Sequence, residues 1–328
     1  MPNVTIIVPC YNEQDTIGHL LEAVYGQTYP RSELEVVIAD GNSTDLTRQQ
    51  IGLFQREHPD LTVRVVENAQ RNIPAGLNRA LQAAQGEVIV RLDAHSIPLP
   101  DYVARCVSVL HAGRGDSVGG IWEILPGGEG WLAKSIAAAA AHPLGAGDAQ
   151  YRIGGQAQAV DTVPFGAFRR SLVERIGYFN EKLLTNEDYE FNVRIRQSGG
   201  TVWLDPCIRS SYFARPDLVS LWRQYWRYGY WKAKMLKRNP RTLRWRQAIP
   251  PLFVSSLVIL SLAGLWLPVL RWLLAFEVLL YTLLLLGAAF MIARKVRYWP
   301  FLIGIPLAFL VMHLAWGSSF LLGSIRHD

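Results

Sequence analysis

Glu187, Asp188 and Glu190 place three carboxylates within four consecutive positions of the stretch Leu184-Thr185-Asn186-Glu187-Asp188-Tyr189-Glu190-Phe191. They stand immediately before residues 191–196, whose apolar positions and arginines read as an amphipathic helix ending at Ser198-Gly199-Gly200. Two kinds of chemistry fit. Carboxylates at a helix N-terminus are favoured by the dipole and by free N–H groups, so the cluster can be a cap. It can also be a general base with a second carboxylate that orients it. A second cluster, Asp93-Ala94-His95, puts a carboxylate oxygen and an imidazole nitrogen two residues apart on a turn. Such a pair suits Mn²⁺ or Mg²⁺, or else it is a turn with an Asx cap followed by a loop histidine.

These residues need a scaffold, and the hydrophobic pattern describes one. Residues 4–9, 34–38, 61–66 and 87–92 are short apolar runs that read as buried strands. Between them, residues 15–25, a stretch ending near His58, and residues 73–84 show helical spacing. Alternating strands and helices specify a parallel sheet with right-handed crossovers. Ligands bind such sheets at the carboxyl ends of the strands. Those ends carry Tyr11 and Glu13, then Asp40, then Asp93 and His95. Neither G-x-G-x-x-G nor G-x-x-x-x-G-K occurs, so a phosphate bound here needs its charge offset by a metal, which favours the metal reading of Asp93 and His95.

Composition divides the chain. Half of the 328 residues are hydrophobic and 18% are charged, and the mean hydropathy of +0.12 averages two unlike parts. The first ~245 residues are mixed in polarity, whereas residues 249–322 carry few charges apart from Arg271, Glu277, Arg294, Lys295 and Arg297. The expected domains are 1–212, a soluble α/β domain; 213–248, basic and aromatic interfacial helices; and 249–328, with membrane spans at about 249–270, 272–293 and 299–322. Glu277 within the second span should face another helix or a subunit. Cys10, Cys106 and Cys207 are odd in number and far apart, which suggests a reducing compartment. The N-terminus shows no signal-peptide pattern, so the soluble part is expected in the cytosol. Positive charge before the first span and between the second and third agrees with that orientation.

Pro9-x-Tyr11-Asn12-Glu13, Asp40-Gly41-x-Ser43-x-Asp45, Asn78 ahead of Gly86-Glu87, Arg91-x-Asp93-x-His95 and Asn186-Glu187-Asp188 together resemble a family 2 glycosyltransferase with the GT-A fold over roughly residues 3–240. The Asp-Ala-His form, and residues 224–232, resemble more narrowly the succinoglycan-type glucosyltransferases of bacterial exopolysaccharide assembly. The resemblance implies a Rossmann-like nucleotide-diphospho-sugar transferase domain with a mostly parallel sheet. It implies that Pro9, Tyr11, Glu13 and Asp40 line the nucleotide pocket, that Arg71 and Asn78 sit near base and ribose, and that Asp93 and His95 bind Mn²⁺ or Mg²⁺. Asp188 would be the base with Glu187 beside it. Two positions depart from the family pattern: Ala39-Asp40 stands for paired aspartates, and His95 for a second metal aspartate.

Residues 145–156 read as a flexible loop, either a lid or a plain connection, and Thr162 to Phe168 resemble the family's acceptor-side strand. Residues 215–246 interleave many arginines and lysines with tryptophans and tyrosines. Before apolar spans this favours the headgroup layer of a membrane over nucleic acid. Gln224, Arg227 and Tyr228 match the Q-x-x-R-W element of polysaccharide synthases, with tyrosine in place of tryptophan, and by that resemblance would face the acceptor or diphosphate. The expected activity is inverting transfer of a hexose, glucose foremost, from a UDP-sugar to a lipid-linked polyprenyl-diphosphate saccharide. Its setting would be the cytosolic face of a bacterial or archaeal inner membrane, with the chain a multi-pass protein that can self-associate through its membrane helices. The competing readings are a polyprenyl-phosphate sugar synthase, a small processive synthase, and a catalytically silent nucleotide-binding scaffold.

Overall fold

The computed structural model describes residues 2–326. Strand β1 (Val4–Cys10), helix α1 (Ile17–Tyr25), β2 (Leu34–Asp40), α2 (Thr47–Glu57), β3 (Thr62–Glu67), α3 (Ile73–Ala83) and β4 (Val88–Arg91) alternate as the hydrophobic pattern predicts. Next come β5 (Ile97–Pro98), α4 (Tyr102–His111), β6 (Ser117–Pro126), α5 (Trp131–Ala140), α6 (Pro143–Ala146), α7 (Gln150–Ile153), β7 (Gln158–Ala159) and β8 (Ala167–Arg169). They are followed by α8 (Ser171–Ile176), α9 (Glu187–Gln197) and β9 (Val202–Ala214), and then by α10 (Leu218–Arg238), α11 (Trp245–Ala263), α12 (Pro268–Val296) and α13 (Phe301–Ile325). Two compact units result. One comprises residues 1–123 and 150–212, the other 124–149 and 213–328. Residues 124–149, grouped from the sequence with the soluble domain, thus belong to the second unit.

The sheet runs β3-β2-β1-β4-β8-β6-β9-β5, with β7 added on β9. Its first four strands are parallel, whereas β8 runs antiparallel to both β4 and β6. Strands β1, β2 and β4 are buried almost along their whole length because both faces are covered, whereas the edge strand β3 is only partly buried. Ile6, Val8, Val36 and Ile38 pack on one side with α1, α2 and α4. Ile7, Val37, Ala39 and Ile89 point the other way, into a layer with α3, α8 and α9. Helix α9 is not the amphipathic element its pattern suggests: Glu187, Tyr189, Glu190, Phe191, Asn192, Val193 and Ile195 are all buried. Within residues 162–168, pairing begins only at Ala167. Half of residues 145–156 lie in two one-turn helices, the end of α6 and all of α7, and the rest are turns and irregular chain.

In the second unit, α11, α12 and α13 are each long and apolar enough to cross a membrane. The first begins earlier than the 249–270 span and stops at Ala263, because Gly264 ends it and Pro268 opens the next helix. Pro250 and Pro251 lie inside α11. A proline at 251 removes the N–H that would serve the Gln247 carbonyl, and the Trp316 indole of α13 donates to that carbonyl instead (3.4 Å). Helices α10 and α13 approach closely. A Cβ at Gly229 would lie 2.4 Å from the Trp316 carbonyl oxygen, and one at Gly323 2.8 Å from that of Tyr230. Glu277 on α12 accepts from Ser256 Oγ of α11 at 2.5 Å, which gives the acid a partner on a neighbouring helix.

Candidate active site

The parallel strands end in loops that take unusual backbone shapes. Asn12 follows β1, Asn42 follows β2 and Arg71 follows β3, and all three are left-handed, as are Phe165 before β8 and Asn186 before α9. Non-glycine residues pay for that conformation, so its recurrence around one end of a sheet marks a built site. Side chains lock these loops together. Asn12 N donates to Ser43 Oγ (2.9 Å) and Thr44 N to Asn12 Oδ1 (2.9 Å), while Glu13 N donates to Thr47 Oγ1 (2.8 Å).

Within this rim, Asp40 is fully buried and accepts from Ser43 N, from Ser43 Oγ (2.5 Å) and from Arg48 Nε. Tyr11 is exposed and lies over Gly41, where a Cβ would come within 3.1 Å of its ring. The Arg71 guanidinium lies 5.9 Å from the centre of the same ring. Pro9, in β1, packs against Gly76 at the start of α3. Asn78 is turned elsewhere: it is buried, its amide donates to the Phe179 carbonyl (2.9 Å) and to Glu181 Oε1 (2.8 Å), and its oxygen accepts from Phe179 N (2.9 Å). It ties the segment leading to α9 onto α3.

The three carboxylates of the α9 motif form its first turn, and each takes a different course. Glu190 pairs with Arg194 one turn on, at 3.0 Å. Asp188 is half-buried and accepts from its neighbour's backbone, Tyr189 N, at 2.7 Å. Glu187 is buried and reaches the sheet, where Arg91 Nη2 donates to its Oε1 at 2.9 Å. The same nitrogen donates to Asp93 Oδ1 at 3.2 Å. Arg91 therefore joins residues 93 and 187, almost a hundred positions apart, at the end of β4. Because Glu187 reaches out of α9 to bind Arg91 on the sheet, the cluster is more than a cap.

Charge is unevenly shared here. Burial works against the Arg91 guanidinium, but Asp93, Glu187 and Asp188 together outweigh it and hold its pKa above the ordinary range. Burial, with Asp188 adding to it and Arg91 opposing, pushes the Glu187 carboxyl up to about 7. One cation faces three acids. His95 Nδ1 lies 3.1 Å from Glu13 Oε1, so the loops after β1 and β4 meet through that pair. Among the described residues no three His, Cys, Asp or Glu side chains converge as a metal cage. Tyr189 OH donates to Asp161 Oδ2 (3.2 Å) and Asn192 Nδ2 to Thr162 Oγ1 (2.9 Å), anchoring α9 to residues 161–162. Arg91 is the residue sequence reading passed over. It stands in the quoted motif Arg91-x-Asp93, and an arginine within a four-residue buried strand was the available signal.

Gln224, Arg227 and Tyr228 lie on α10 in the second unit. Gln224 is buried and donates through Nε2 to Tyr228 OH at 2.9 Å, one turn along, while Arg227 is exposed.

A parallel half-sheet with loops at its carboxyl ends, an antiparallel extension, and a buried and a half-buried acid beside the last parallel strand define a nucleotide-sugar transferase architecture. Solved structures agree on the fold. A mannosyltransferase from Pyrobaculum calidifontis, PcManGT, in complex with GDP-Man and Mn²⁺, superimposes with a TM-score of 0.64 at 24% identity, over 95% of this chain and 87% of that one. Residues 1–349 of S. aureus TarS in complex with UDP-GlcNAc give 0.52 at 15% identity, over 100% and 94%. The family model for glycosyl transferase family 2 matches residues 5–177. The succinoglycan biosynthesis protein ExoA of Rhizobium meliloti is 30% identical over 319 residues, covering 96% of this chain and 93% of that protein. A dolichyl N-acetyl-alpha-D-glucosaminyl phosphate 3-beta-D-2,3-diacetamido-2,3-dideoxy-beta-D-glucuronosyltransferase of Methanococcus voltae is 24% identical, over 98% and 97%. The chain belongs to glycosyl transferase family 2; it is a GT-A glycosyltransferase with three apolar C-terminal helices of membrane-spanning length.

Proposed function

We propose that this enzyme transfers a hexose from a UDP-sugar, UDP-glucose foremost, to a lipid-linked polyprenyl-diphosphate saccharide at the cytosolic membrane face, inverting the anomeric centre. The observation that carries the reading is Arg91, which binds Asp93 and Glu187 at once and so sets the first turn of α9 beside the carboxyl end of β4. In this reading Asp188 takes the proton of the attacking acceptor hydroxyl, and Glu187, buried next to it, keeps its position. Tyr11 and Arg71 present an exposed ring and guanidinium to the base, with Glu13 and Asp40 shaping the pocket.

A divalent metal fits the residues present. Mg²⁺ in phosphate sites commonly takes one or two protein carboxylates and completes its shell with substrate oxygens and water, so the absence of a three-residue cage among the described residues suits it. Asp93 would hold the ion, with His95, steadied by Glu13, as the second candidate. When bound, the ion offsets the charge that develops on the departing diphosphate. Support for a metal and for nucleotide-sugar donors also comes from the complexes of PcManGT and TarS. The name of ExoA supports a place in cell-surface or exopolysaccharide assembly. The basic, aromatic α10 would lie on anionic headgroups, and its Gln224, Arg227 and Tyr228 would face the acceptor or diphosphate. Inner-membrane localisation and self-association through α11–α13 complete the proposal.

Full-length protein in nanodiscs, incubated with a panel of UDP-sugars and short polyprenyl-diphosphate glycans, tests it by mass spectrometry of the lipid product. Asp188→Asn should lower transfer by about 10²–10⁴-fold while UDP still binds. UDP binding without any transfer by the wild type would establish the scaffold reading instead.

A further inference from the structure

Beside the acid pair, within the same unit, lies a cluster that the proposed chemistry does not use. Trp122 of β6 and Tyr212 of β9 stack face to face, with ring centres 4.3 Å apart and planes 5° from parallel. Tyr151 of α7 meets Trp122 edge-on at 5.0 Å, and Phe165 lies 5.5 Å away. Over these rings sits the guanidinium of Arg152, 5.1 Å from Trp122, 5.6 Å from Tyr151 and 5.8 Å from Tyr212. The Trp122 indole N–H is buried and meets no acceptor among the described residues. A buried donor left so is destabilising, and a ligand hydroxyl could recover the loss.

The cluster is tied to the chemistry through Tyr151, which packs against the layer that holds Phe191 and Ile195 of α9; its phenol, pushed up above all by burial, also lies in the fields of Asp188 and Asp161. We propose that Trp122, Tyr151, Arg152 and Tyr212 form the subsite for the sugar ring of the acceptor, holding its hydroxyl toward Asp188. A pyranose has an apolar C–H face that packs on aromatic rings, and a rim of hydroxyls that a planar guanidinium can bind in pairs. A second phosphate suits the place less well, since Asp161 and Asp188 already bring negative charge to it. Tyr151 and Arg152 arrive on a single helical turn closed by Gly154 at φ +82°, so a short segment carries half of the subsite. The aromatic pair, fixed in the sheet, carries the other half.

The proposal rests on the transferase reading of Asp188, and its test separates the two. Full-length protein in nanodiscs is mixed with methyl β-D-glucopyranoside or methyl β-D-galactopyranoside in the presence of UDP, and saturation-transfer difference NMR reads which ring protons touch the protein. Wild type should show enhancement on one face of at least one glycoside. Trp122→Ala and Arg152→Ala should each reduce it by about tenfold, in line with a desolvated aromatic or cation–π contact. Trp122→Phe, which keeps an aromatic ring but removes the indole N–H, should fall between wild type and Trp122→Ala, and calorimetry should find UDP affinity unchanged in all variants. Enhancement absent in wild type, or undiminished in both alanine variants, overturns the subsite. Direct binding of inorganic pyrophosphate by calorimetry that displaces the glycoside from the wild type and is itself lost in Arg152→Ala would also overturn it by assigning the cage to an anion. Failure of the wild type to bind UDP by calorimetry would instead strike the transferase reading, and the glycoside signal repeated without UDP would still decide the subsite.

Discussion

Two buried glutamates at opposite ends of the same sheet behave in opposite ways. Glu35, at the amino end of β2, accepts from Thr5 Oγ1 (2.6 Å), Gln85 N (2.6 Å) and Arg64 Nη2 (2.7 Å). Burial pushes its pKa up, but Thr5, Gln85 and Arg64 more than compensate, and the carboxyl sits below its usual range. Glu187, beside the carboxyl end of β4, has as its side-chain partner a guanidinium nitrogen shared with Asp93, and its pKa rises to about 7. Both residues are almost wholly out of solvent. Glu187 lies deeper, beside Asp188 and with fewer donors, whereas Glu35 is held by three donors, so depth, neighbouring charge and dedicated donors together set the character of each acid. One end of the sheet is satisfied and inert, and the other keeps an unbalanced set of charges that a substrate and a cation can complete.

The comparison breaks most severely at Arg91. Arg91→Met leaves Asp93 and Glu187 without their common donor. A buried pair stripped of one partner typically loses about 3–5 kcal/mol, so thermal unfolding at pH 8 should drop sharply and transfer should vanish. If melting is unchanged, the guanidinium does not organise the end of β4. Glu35→Gln tests the other end. A carboxylate whose folded pKa is depressed stabilises the fold above its unfolded value near 4.5 and loses that contribution as pH falls through the folded pKa. The wild type should lose stability along this limb, and the glutamine variant should start about 2 kcal/mol lower and show a flatter limb, with transfer per folded molecule intact. Calorimetry from pH 7 to pH 3 decides it. A parallel limb in both proteins would remove Glu35 as the source.

How much of this could be read from the amino acids follows from how local the signals are. The parallel strands and their helices were legible because buried β-branched runs and 3.6-residue spacing are properties of neighbours in sequence. The antiparallel half was not. β9 is the longest strand, yet Asp205-Pro206 interrupts it and its burial alternates irregularly, so no periodic run announces it. The short pairings of β5 and β7 depend wholly on β9. Asp93, Glu187 and Asp188 were visible as a motif set, whereas the contact that unites them crosses 96 positions and depends on Arg91 being buried, which no local pattern states. The aromatic cage was missed for the same reason: Trp122, Tyr151 and Tyr212 come from three separate elements.

Asn78 supplies the mildest test of the contrast between the two ends. Family resemblance sets it near the base and ribose, but its amide is engaged with Phe179 and Glu181, on the segment that delivers α9 to Arg91. If it serves as a brace, Asn78→Ala should lower stability by about 1–2 kcal/mol, because the Phe179 N–H and carbonyl lose their partner, while UDP affinity stays within about twofold. Transfer should then fall through kcat, since the first turn of α9 is held less firmly and UDP itself is not. A nucleotide contact predicts the reverse: weaker UDP binding by calorimetry with an unshifted melting temperature. That outcome would move Asn78 from the satisfied scaffold to the unbalanced end of the sheet, and would require residues 179–181 to release it when the donor binds.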